Sequence, residues 1–562
     1  MSKLVFKVEN QIKECIIGAI KTAQEKGSLC AGEIPEFIIE IPNDRSHGDY
    51  ATNAAMVSAK AFRRAPRDIA NAILENAQTE GTYIKGMEIA GPGFINITLD
   101  DRFYSDILVD VDTLGADYGK SDFGQNKKVL VEFVSANPTG PMHIGNARGG
   151  ALGDCLAAVL GAAGFDAKRE FYVNDAGNQI EKFKTSLETR YLQQFDETIE
   201  MPEDAYHGED IINHAKAFTE IHGDKYVNTS SEERRTALCD FALPKNIQTL
   251  KDDLATYRIN YDRWYHESEL HNSGAVKEIV DKLIASGHTY EKEGALWFKS
   301  TDFDDEKDRV LIRDNGVPTY FVPDIAYHYD KLVTRGFDTA IDVLGADHHG
   351  YIPRMKAAMA ALGIDPERLQ MLIMQMVRLV KNGETYKLSK RSGKAITLAT
   401  LLEEVPIDAA RLIFNLREPN SHLEFDLDLA ISETSQNPVY YVQYAHARIC
   451  SILRNLKAQG IEPKSLKAQD LDCLTAPEER ELVRHISQYT GEIISAATTS
   501  NPSVITRYVI TLATLFHKFY NACPVKSAEE DLRNARLMLC VATKTVIKNV
   551  LDLLKITAPD QM

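Results

Sequence analysis

From about residue 127, this chain of 562 residues alternates strand-like and helix-like patterns, and that alternation limits its fold more than any other feature. Residues 129–134 predict a strand, residues 146–161 a helix and residues 168–173 a second strand. Alternation of this kind is typical of a parallel sheet covered by helices. We therefore predict an α/β fold whose central part is a doubly wound, Rossmann-like parallel sheet.

Changes in pattern along the chain predict three domains. Residues 1–112 read as a small N-terminal α/β module, residues 113–431 contain the parallel sheet, and residues 432–562 predict a C-terminal α-helical bundle. A polar, helix-rich stretch at about residues 175–300 is predicted to be an insertion between two halves of the sheet. Further helices are predicted near residues 8–26, 51–78, 438–456, 479–499, 503–522 and 528–554, and further strands at residues 37–41, 94–99, 317–322, 339–344 and 370–380, with a hairpin turn at Asn382 and Gly383.

Composition excludes several classes of protein. A net charge of −17 argues against nonspecific nucleic-acid binding, which needs a broad basic field, although it leaves room for a local basic face. No apolar run approaches the roughly 18 residues that span a bilayer, and the charged N-terminus lacks the apolar stretch of a signal peptide. The eight cysteines form no CxxC pair, so neither zinc nor a disulfide framework is indicated. We predict a cytoplasmic protein.

The segment Pro141-Met142-His143-Ile144-Gly145-Asn146 joins the first predicted strand to the first predicted helix of the sheet. The His143 imidazole and the N–H groups at the helix start would face one point, which is a favourable place for phosphate. Gly145 would allow close approach of the backbone. The alternative is that His143 simply caps the helix.

A second segment, Lys387-Leu388-Ser389-Lys390-Arg391, places two lysines three positions apart in a loop. Two flexible ammonium groups could close over a polyanion and neutralise a leaving pyrophosphate. The alternative is a solvated loop, which is the usual explanation of a short charge cluster.

A third turn runs from Gly345 to Gly350 and follows the strand predicted at residues 339–344. Asp347 could accept hydrogen bonds from ribose hydroxyls, and His348 could lie against a base or a second substrate. A metal site is the alternative, but adjacent residues rarely converge on one ion.

Two acids stand in apolar surroundings: Glu132 inside the strand VLVEFVS, and Asp324 in TYFVPDIAYH. An ionised acid in such a place is costly unless a cation accompanies it, either from the protein or from a ligand. From the residues alone, a cationic substrate and a structural salt bridge are equally good explanations.

As a set, these segments resemble the class I aminoacyl-tRNA synthetases and most closely the arginyl-tRNA synthetases of the bacterial type. The resemblance covers essentially the whole chain and includes VEFVSANPTGPMHIGNARGGALGD, FYVNDAGNQ, TYFVPDIAYH, LGADHHGYIPRM, KLSKRSGKA, NPVYYVQYAHARI and the terminal APDQM. It implies a ligase that activates arginine with ATP to arginyl adenylate and transfers the arginyl group to the 3′ end of tRNA(Arg). The alternative is a catalytically altered relative that only binds tRNA.

The resemblance also implies partners and roles. ATP enters with Mg²⁺, no zinc or other metal site is expected, and the protein is expected to be a monomer. The N-terminal module and the C-terminal bundle are expected to bind tRNA, with Tyr440, Tyr444 and Arg448 as candidates; tyrosines at helical spacing can equally be core. The catalytic residues would be His143, Asn146, Lys387 and Lys390; the arginine-binding residues Glu132, Ser135, Asn137, Tyr320, Asp324 and His348; and the ATP-binding residues Ala136, Pro138, Thr139, Gly140, Pro141, Met142, His143, Ile144, Gly145, Asn146, Gly345, Asp347, Lys387 and Lys390. Asn146 departs from the family pattern, in which a second histidine is usual.

Overall fold

The computed structural model describes residues 3–42, 47–386 and 396–562. Its N-terminal region holds a four-stranded antiparallel sheet in the order β1-β2-β4-β3. Helices cover this sheet because their apolar faces need burial; in α1, every third or fourth residue from Val5 to Ala23 is buried. The elements are α1 (Leu4–Glu25), β1 (Ile39–Glu40), β2 (Tyr50–Thr52), α2 (Ala54–Val57), α3 (Ala59–Phe62), α4 (Pro66–Asn76), β3 (Ile84–Ala90), β4 (Phe94–Leu99) and α5 (Asp101–Leu114).

The single helix predicted at residues 51–78 is wrong. The stretch begins in strand β2 and then forms three helices, α2, α3 and α4. Arg63 ends α3 in the left-handed conformation, at φ 50°, and Pro66 starts α4 at its first turn. A left-handed residue stops one helix, and proline is well suited to begin the next one.

The central sheet has five strands, all parallel, in the order β12-β11-β5-β6-β7. The chain moves outward in one direction from β5 to β7 and in the other from β11 to β12, so the predicted doubly wound sheet is confirmed. Its topological switch point lies between β5 and β11, where ligands bind in such sheets. The elements of this part are β5 (Lys128–Glu132), α6 (Ile144–Ala162), β6 (Asp166–Val173), α7 (Gly177–Leu192), α8 (Glu209–His222), α9 (Ser231–Thr256), β7 (Arg263–His266), α10 (Glu267–Ser273), α11 (Ala275–Ala285), β8 (Thr289–Lys292), β9 (Ala295–Phe298), β10 (Arg309–Ile312), α12 (Phe321–Tyr329), β11 (Thr339–Gly345), α13 (Tyr351–Ala361), β12 (Leu369–Met374), β13 (Val377–Lys381), β14 (Glu384–Thr385), α14 (Leu398–Glu404), α15 (Ile407–Phe414), β15 (Leu423–Asp426) and α16 (Leu427–Ile431).

Two predicted strands of this part need correction. Residues 317–322 do not form a strand, because the chain meets Ile312 only at Pro318 and then enters α12. A short apolar run has the same pattern in a buried strand and in a buried helix. The strand predicted at residues 370–380 is two strands, since β12 belongs to the central sheet and β13 to a smaller sheet with β14 and β15. The Asn-Gly turn between β13 and β14 is confirmed, with φ 55° at Asn382 and 75° at Gly383.

The range predicted as one insertion, about residues 175–300, is not a single separate unit. It contributes β7 to the edge of the central sheet, where Phe171 of β6 pairs with Trp264. It also contains β8 and β9, which form an antiparallel sheet with β10. The polar composition of this range conceals these short strands.

The C-terminal region consists of α17 (Pro438–Lys457), α18 (Pro477–Ser487), α19 (Tyr489–Thr498), α20 (Ser503–Ala522) and α21 (Glu530–Leu553). The helix predicted at residues 479–499 is two helices, because the chain turns at Gln488. The other helices predicted in this region, at residues 438–456, 503–522 and 528–554, agree with α17, α20 and α21 within about two residues. Among the described residues, no helix is long and apolar enough to cross a membrane.

Helix α6 lies close against the chain that follows β5, and Gly153 makes this contact possible. A Cβ atom at position 153 would lie 2.2 Å from Cγ of Phe133, whose ring is fully buried. We expect Gly153→Ala to lower the free energy of unfolding by ~1–3 kcal/mol, because the ring has to move in a packed core.

A matched control is available on the same helix. A Cβ atom at Gly161 would meet nothing within 4 Å, so Gly161→Ala should leave stability unchanged or slightly raised. Urea denaturation of both variants, followed by circular dichroism, measures the difference. Equal midpoints for the two variants would contradict the assigned contact.

Candidate active site

The chain that leaves β5 toward α6 has a strained backbone. Val134 and Ser135 have φ angles of 71° and 41°. Such angles are rare for residues other than glycine and are a genuine outlier for a β-branched residue. Side-chain hydrogen bonds hold this conformation: Ser135 Oγ donates to Glu132 Oε1 at 2.8 Å and accepts from the Tyr172 N–H at 3.1 Å. Strain of this kind, fixed by its surroundings, is common at binding sites.

His143 is the N-cap residue of α6, but its imidazole makes no capping hydrogen bond and is exposed. Instead, the His143 backbone N–H donates to Asn146 Oδ1 at 2.9 Å. The amide oxygen of Asn146 therefore closes the helix start, and its Nδ2 group is the donor left for a ligand. The helix N-terminus next to these two side chains is a favourable place for an anion.

A cavity of about 490 Å³ opens at this junction. The predicted site residues that line it are Ser135, Ala136, Asn137, Thr139, Gly140, Pro141, His143 and Asn146. The predicted residues Pro138, Met142, Ile144 and Gly145 are not among its lining residues. The Met142 side chain is buried in the core instead.

Lys387 and Lys390 lie outside the described residues. The described chain resumes at residue 396 and contacts the His143 segment there: the Ile144 N–H donates to the Ile396 carbonyl at 3.2 Å, and the Leu398 N–H donates to the Met142 carbonyl at 2.9 Å. His143 and Thr397 form an isolated antiparallel bridge. These contacts hold residues 396–398 against the start of α6.

Four residues that were not predicted as site residues close the cavity from the stretch before α8 and from its first turn. These are Tyr206, His207, Gly208 and Asp210. The Oδ2 atom of Asp210 is buried, has no hydrogen-bond partner among the described residues, and lies 3.9 Å from where a Cβ of Gly140 would stand. Burial raises the pKa of this carboxyl group. In the sequence, the feature that could have indicated this part of the cavity is Gly208, a glycine inside a polar, helix-rich stretch.

Asp324 lies in the first turn of α12, close to the switch point. The pKa of its carboxyl group is raised to about 7, mainly by burial; the nearby acids Glu267 and Glu132 act in the same direction, while His328 and a hydrogen bond from Tyr351 act in the opposite direction. Within the described residues, no lysine or arginine forms an ion pair with Asp324. Its carboxyl group is therefore costly to ionise until a cation arrives.

Glu132, by contrast, has a resident cation. The Nζ atom of Lys331 forms an ion pair with Glu132 and a second one, at 2.8 Å, with Asp342. The Lys331 side chain is fully buried. The two acids therefore differ: Glu132 forms an ion pair with a lysine of the protein, and Asp324 forms none with a lysine or arginine in the part of the chain that the structure describes.

The remaining predicted residues of the catalytic region lie outside the cavity lining. Tyr320 is 66% exposed and accepts a hydrogen bond from Arg354 Nη1 at 3.3 Å. Gly345 ends β11, and the exposed Asp347 and His348 follow it with 3.1 Å between Oδ1 and Nδ1. Because β11 pairs directly with β5, these residues and His143 follow adjacent strands at the same edge of the sheet.

Tyr440 and Tyr444 of α17 lie outside the buried core of the C-terminal bundle. The Tyr440 and Tyr444 rings are stacked, with centroids 6.3 Å apart and planes at 5°, and Tyr444 is 41% exposed. Arg448 lies over the Tyr520 ring at 4.6 Å. Neither tyrosine belongs to the buried core, which removes the core explanation.

Within the described residues, one group of side chains has the composition of a metal site: His446, Cys450 and Asp560. Their polar atoms already have partners. His446 Nδ1 lies 2.9 Å from the Pro559 carbonyl oxygen, and the Cys450 thiol donates to Asp560 Oδ1 at 3.3 Å. These contacts attach the C-terminal tail to α17.

Comparison with protein families covers almost the whole chain. The family described as arginyl tRNA synthetase N terminal domain matches residues 10–99, the class I (R) tRNA synthetase catalytic domain matches residues 110–451, and the DALR anticodon binding domain matches residues 442–562. The chain belongs to the arginyl-tRNA synthetase family. It is therefore an aminoacyl-tRNA synthetase with the class I fold.

Individual relatives agree with this assignment. This synthetase is 54% identical over 562 residues to the arginine–tRNA ligase of Caldanaerobacter subterraneus subsp. tengcongensis and 52% identical over 564 residues to that of Ruminiclostridium cellulolyticum, with full coverage of both chains in each case. Among solved structures, the Thermus thermophilus arginyl-tRNA synthetase superposes with a TM-score of 0.76 over 99% of this chain and 100% of that chain, at 23% identity. At that identity the likeness concerns the fold.

Proposed function

We propose that the protein activates L-arginine with ATP and transfers the arginyl group to the 3′ end of tRNA(Arg), for protein synthesis. The observation that supports the proposal is the arrangement beyond β5: the α6 N-terminus, which suits an anion, follows this strand, and Asp324, which forms no ion pair with a lysine or arginine among the described residues, lies within electrostatic range of Glu132 at the end of β5. ATP needs the first feature and the arginine guanidinium needs the second. The full-length relatives named arginine–tRNA ligase support the same function.

For ATP, we propose that His143, the Asn146 amide and the α6 N-terminus bind the phosphates, with Lys387 and Lys390 closing over them. Gly345 and Asp347 would contact the nucleoside, on the family resemblance. Mg²⁺ would enter with ATP, and Asp210 supplies the carboxylate among the described cavity-lining residues that suits this ion. Neutralising the developing charge on pyrophosphate is the chemistry that this set can provide.

For arginine, we propose that Asp324 binds the guanidinium group. Ser135 and Asn137, in the cavity lining, would position the remainder of the amino acid, with Tyr320 and His348 beside it. Glu132 contributes a fixed acceptor at the end of β5. A planar guanidinium matches a carboxylate through two parallel hydrogen bonds, which the lysine ammonium group cannot reproduce.

For tRNA, we propose that residues 1–112 and 432–562 are the binding modules on either side of the catalytic residues 113–431. Tyr440, Tyr444 and Arg448 would contact anticodon bases, because exposed aromatic rings and guanidinium groups stack on unpaired bases. On the family resemblance, we further propose that the protein acts as a monomer in the cytoplasm.

The test incubates the protein with ATP, tRNA and each of the twenty amino acids in turn. We expect charging with arginine alone, because a site built on buried polar recognition strongly rejects analogues that leave its groups unpaired. Charging with lysine but not arginine would overturn the proposed specificity. The absence of any charging, with tRNA still bound, would favour the catalytically altered alternative, which no comparison supports.

A further inference from the structure

Three helices that lie between β6 and β7 in the chain form a unit beside the cavity. Helices α7, α8 and α9 pack on one another around an apolar core of their own, which includes Phe183, Phe218 and Leu238. The stretch before α8 and its first turn supply part of the cavity wall. This unit is therefore placed to act on the site, although it does not belong to the parallel sheet.

The loop between β5 and α6, residues 136–141, lines the same cavity and has few bonds of its own. It turns at Pro138 and Thr139, and both residues are buried. In the described part of the chain, residues 136–141 form no backbone-to-backbone hydrogen bond of normal length and angle. A loop of this kind keeps one conformation only if side chains hold it.

The amide of Asn246, on α9, holds the middle of this loop. The side chain is 8% exposed, and its Nδ2 group donates to the Pro138 carbonyl at 3.0 Å. Because Pro138 is buried, its carbonyl oxygen has lost contact with water and needs a donor from the protein. The three-helix unit provides this donor from a position 108 residues further along the chain.

A histidine of α8 fixes the orientation of the Asn246 amide. His214 Nε2 lies 2.7 Å from Asn246 Oδ1. Because the Pro138 carbonyl can only accept, the amide nitrogen must face it; the amide oxygen then faces the imidazole, which must carry its hydrogen on Nε2. His214 stands one helical turn after Asp210, whose Oδ2 atom lies beside Gly140. Two successive turns of α8 therefore reach the loop, one directly and one through Asn246.

We propose that Asn246 is a positioning residue for ATP: together with His214 it holds the turn at Pro138, so that the loop leads into α6 in one fixed arrangement. The inference rests on the proposed function, which places the ATP phosphates at the start of α6, where this loop ends. Asn246 touches no substrate, because its amide is engaged by Pro138 and His214. A loop that is already held at its middle loses less conformational freedom when ATP binds, which favours binding.

The test measures the Kd of ATP by titration calorimetry and the KM for ATP by pyrophosphate exchange with arginine and tRNA present. Asn246→Leu leaves the Pro138 carbonyl without its donor, so both constants should rise ~10-fold, with the KM for tRNA in charging little changed. His214→Leu should raise them ~3-fold, because the amide remains but can turn over. His214→Gln keeps a donor at about the same reach and should restore the wild-type values.

Asn549 provides the matched control. It is also 8% exposed, and its amide also donates to backbone carbonyls, those of Gly115 and Tyr118, which do not line the cavity. Asn549→Leu should lower the melting temperature, as Asn246→Leu does, but leave the Kd of ATP unchanged. The double variant of Asn246→Leu and His214→Leu should bind ATP no more weakly than Asn246→Leu, because His214 acts through Asn246.

A Kd of ATP within twofold of the wild-type value in Asn246→Leu would overturn the proposal, and so would an equal loss of ATP affinity in Asn549→Leu. If Asn246→Leu folds poorly, the two His214 variants give the answer, and equal ATP affinities in both would contradict the proposed role. Wild-type protein that binds ATP but charges no arginine would instead overturn the proposed function, and the Kd values would still test the role of Asn246.

Discussion

Asp324→Asn is expected to lower kcat/KM for arginine by ~10²–10³-fold, because removing one member of a buried charge pair costs about 2–5 kcal/mol. The amide keeps the size of the side chain but offers the guanidinium one neutral acceptor in place of a charged, two-oxygen acceptor. The loss should be specific to arginine, with the KM values for ATP and tRNA little changed. Steady-state charging assays with each substrate varied in turn measure this pattern.

The dependence of kcat/KM on pH gives a second test of the role of the Asp324 carboxyl group. Since burial raises the pKa of Asp324 to about 7, its ionised fraction grows as pH rises through that value. In the wild-type protein kcat/KM for arginine should therefore rise with pH through a midpoint near 7 and level off above about pH 8. The Asn variant should lack this step, because the titrating group is gone.

Controls exclude a folding defect. The melting temperature of Asp324→Asn should equal or exceed that of the wild-type protein, because the amide does not carry a charge that burial disfavours. Asp314→Asn makes the same chemical change at an exposed loop position and should leave kcat/KM for arginine unchanged. An arginine kcat/KM within twofold of wild type in Asp324→Asn would show that this carboxylate is structural.

Arg411→Met is expected to lower the free energy of unfolding by ~3–5 kcal/mol, the usual cost of breaking a buried charge pair. The Arg411 side chain is fully buried on α15 and forms an ion pair with Asp154 of α6 at 2.5 Å. It also donates to the Leu554 carbonyl at 2.6 Å and to the Tyr257 carbonyl at 3.0 Å. Its removal leaves acceptors from three parts of the chain without their donor.

This arginine links the C-terminal bundle to the helix that begins at His143, so its loss should also loosen the docking of α21. Differential scanning calorimetry and urea denaturation measure the effect. Arg480→Met is the matched control, since its ion pair with Asp101 is exposed and 3.2 Å long and should contribute at most about 1 kcal/mol. Equal stability of the two variants would contradict the role assigned to Arg411.

Residues whose role depends on neighbours in the chain were predictable. The start of α6 at His143 follows from a strand pattern, a turn and a glycine-rich helix pattern within about 30 residues. The Asn-Gly turn at residues 382–383 follows from backbone preferences alone. Residues 317–322 were predicted as a strand but lead into the helix that carries Asp324, because a short buried apolar run has no periodicity that distinguishes a strand from a helix.

Residues whose role depends on distant partners were not predictable. Lys331 is 199 positions from Glu132, and nothing in the sequence around it indicates a buried ammonium group. Asp210 lines the cavity, although it belongs to the polar range at about residues 175–300 that was predicted to be an insertion. Arg411 contacts a carbonyl 143 positions away.

The sequence by itself determined the order of elements, the parallel sheet, the family and the kinds of side chain at the site. It identified Glu132 and Asp324 as acids that need a cation. Only the tertiary structure decided which of them pairs with a lysine among the described residues. The physical reason is that ionisation and ion pairing depend on burial and on charges that act through space, and the chain brings those charges together only when it folds.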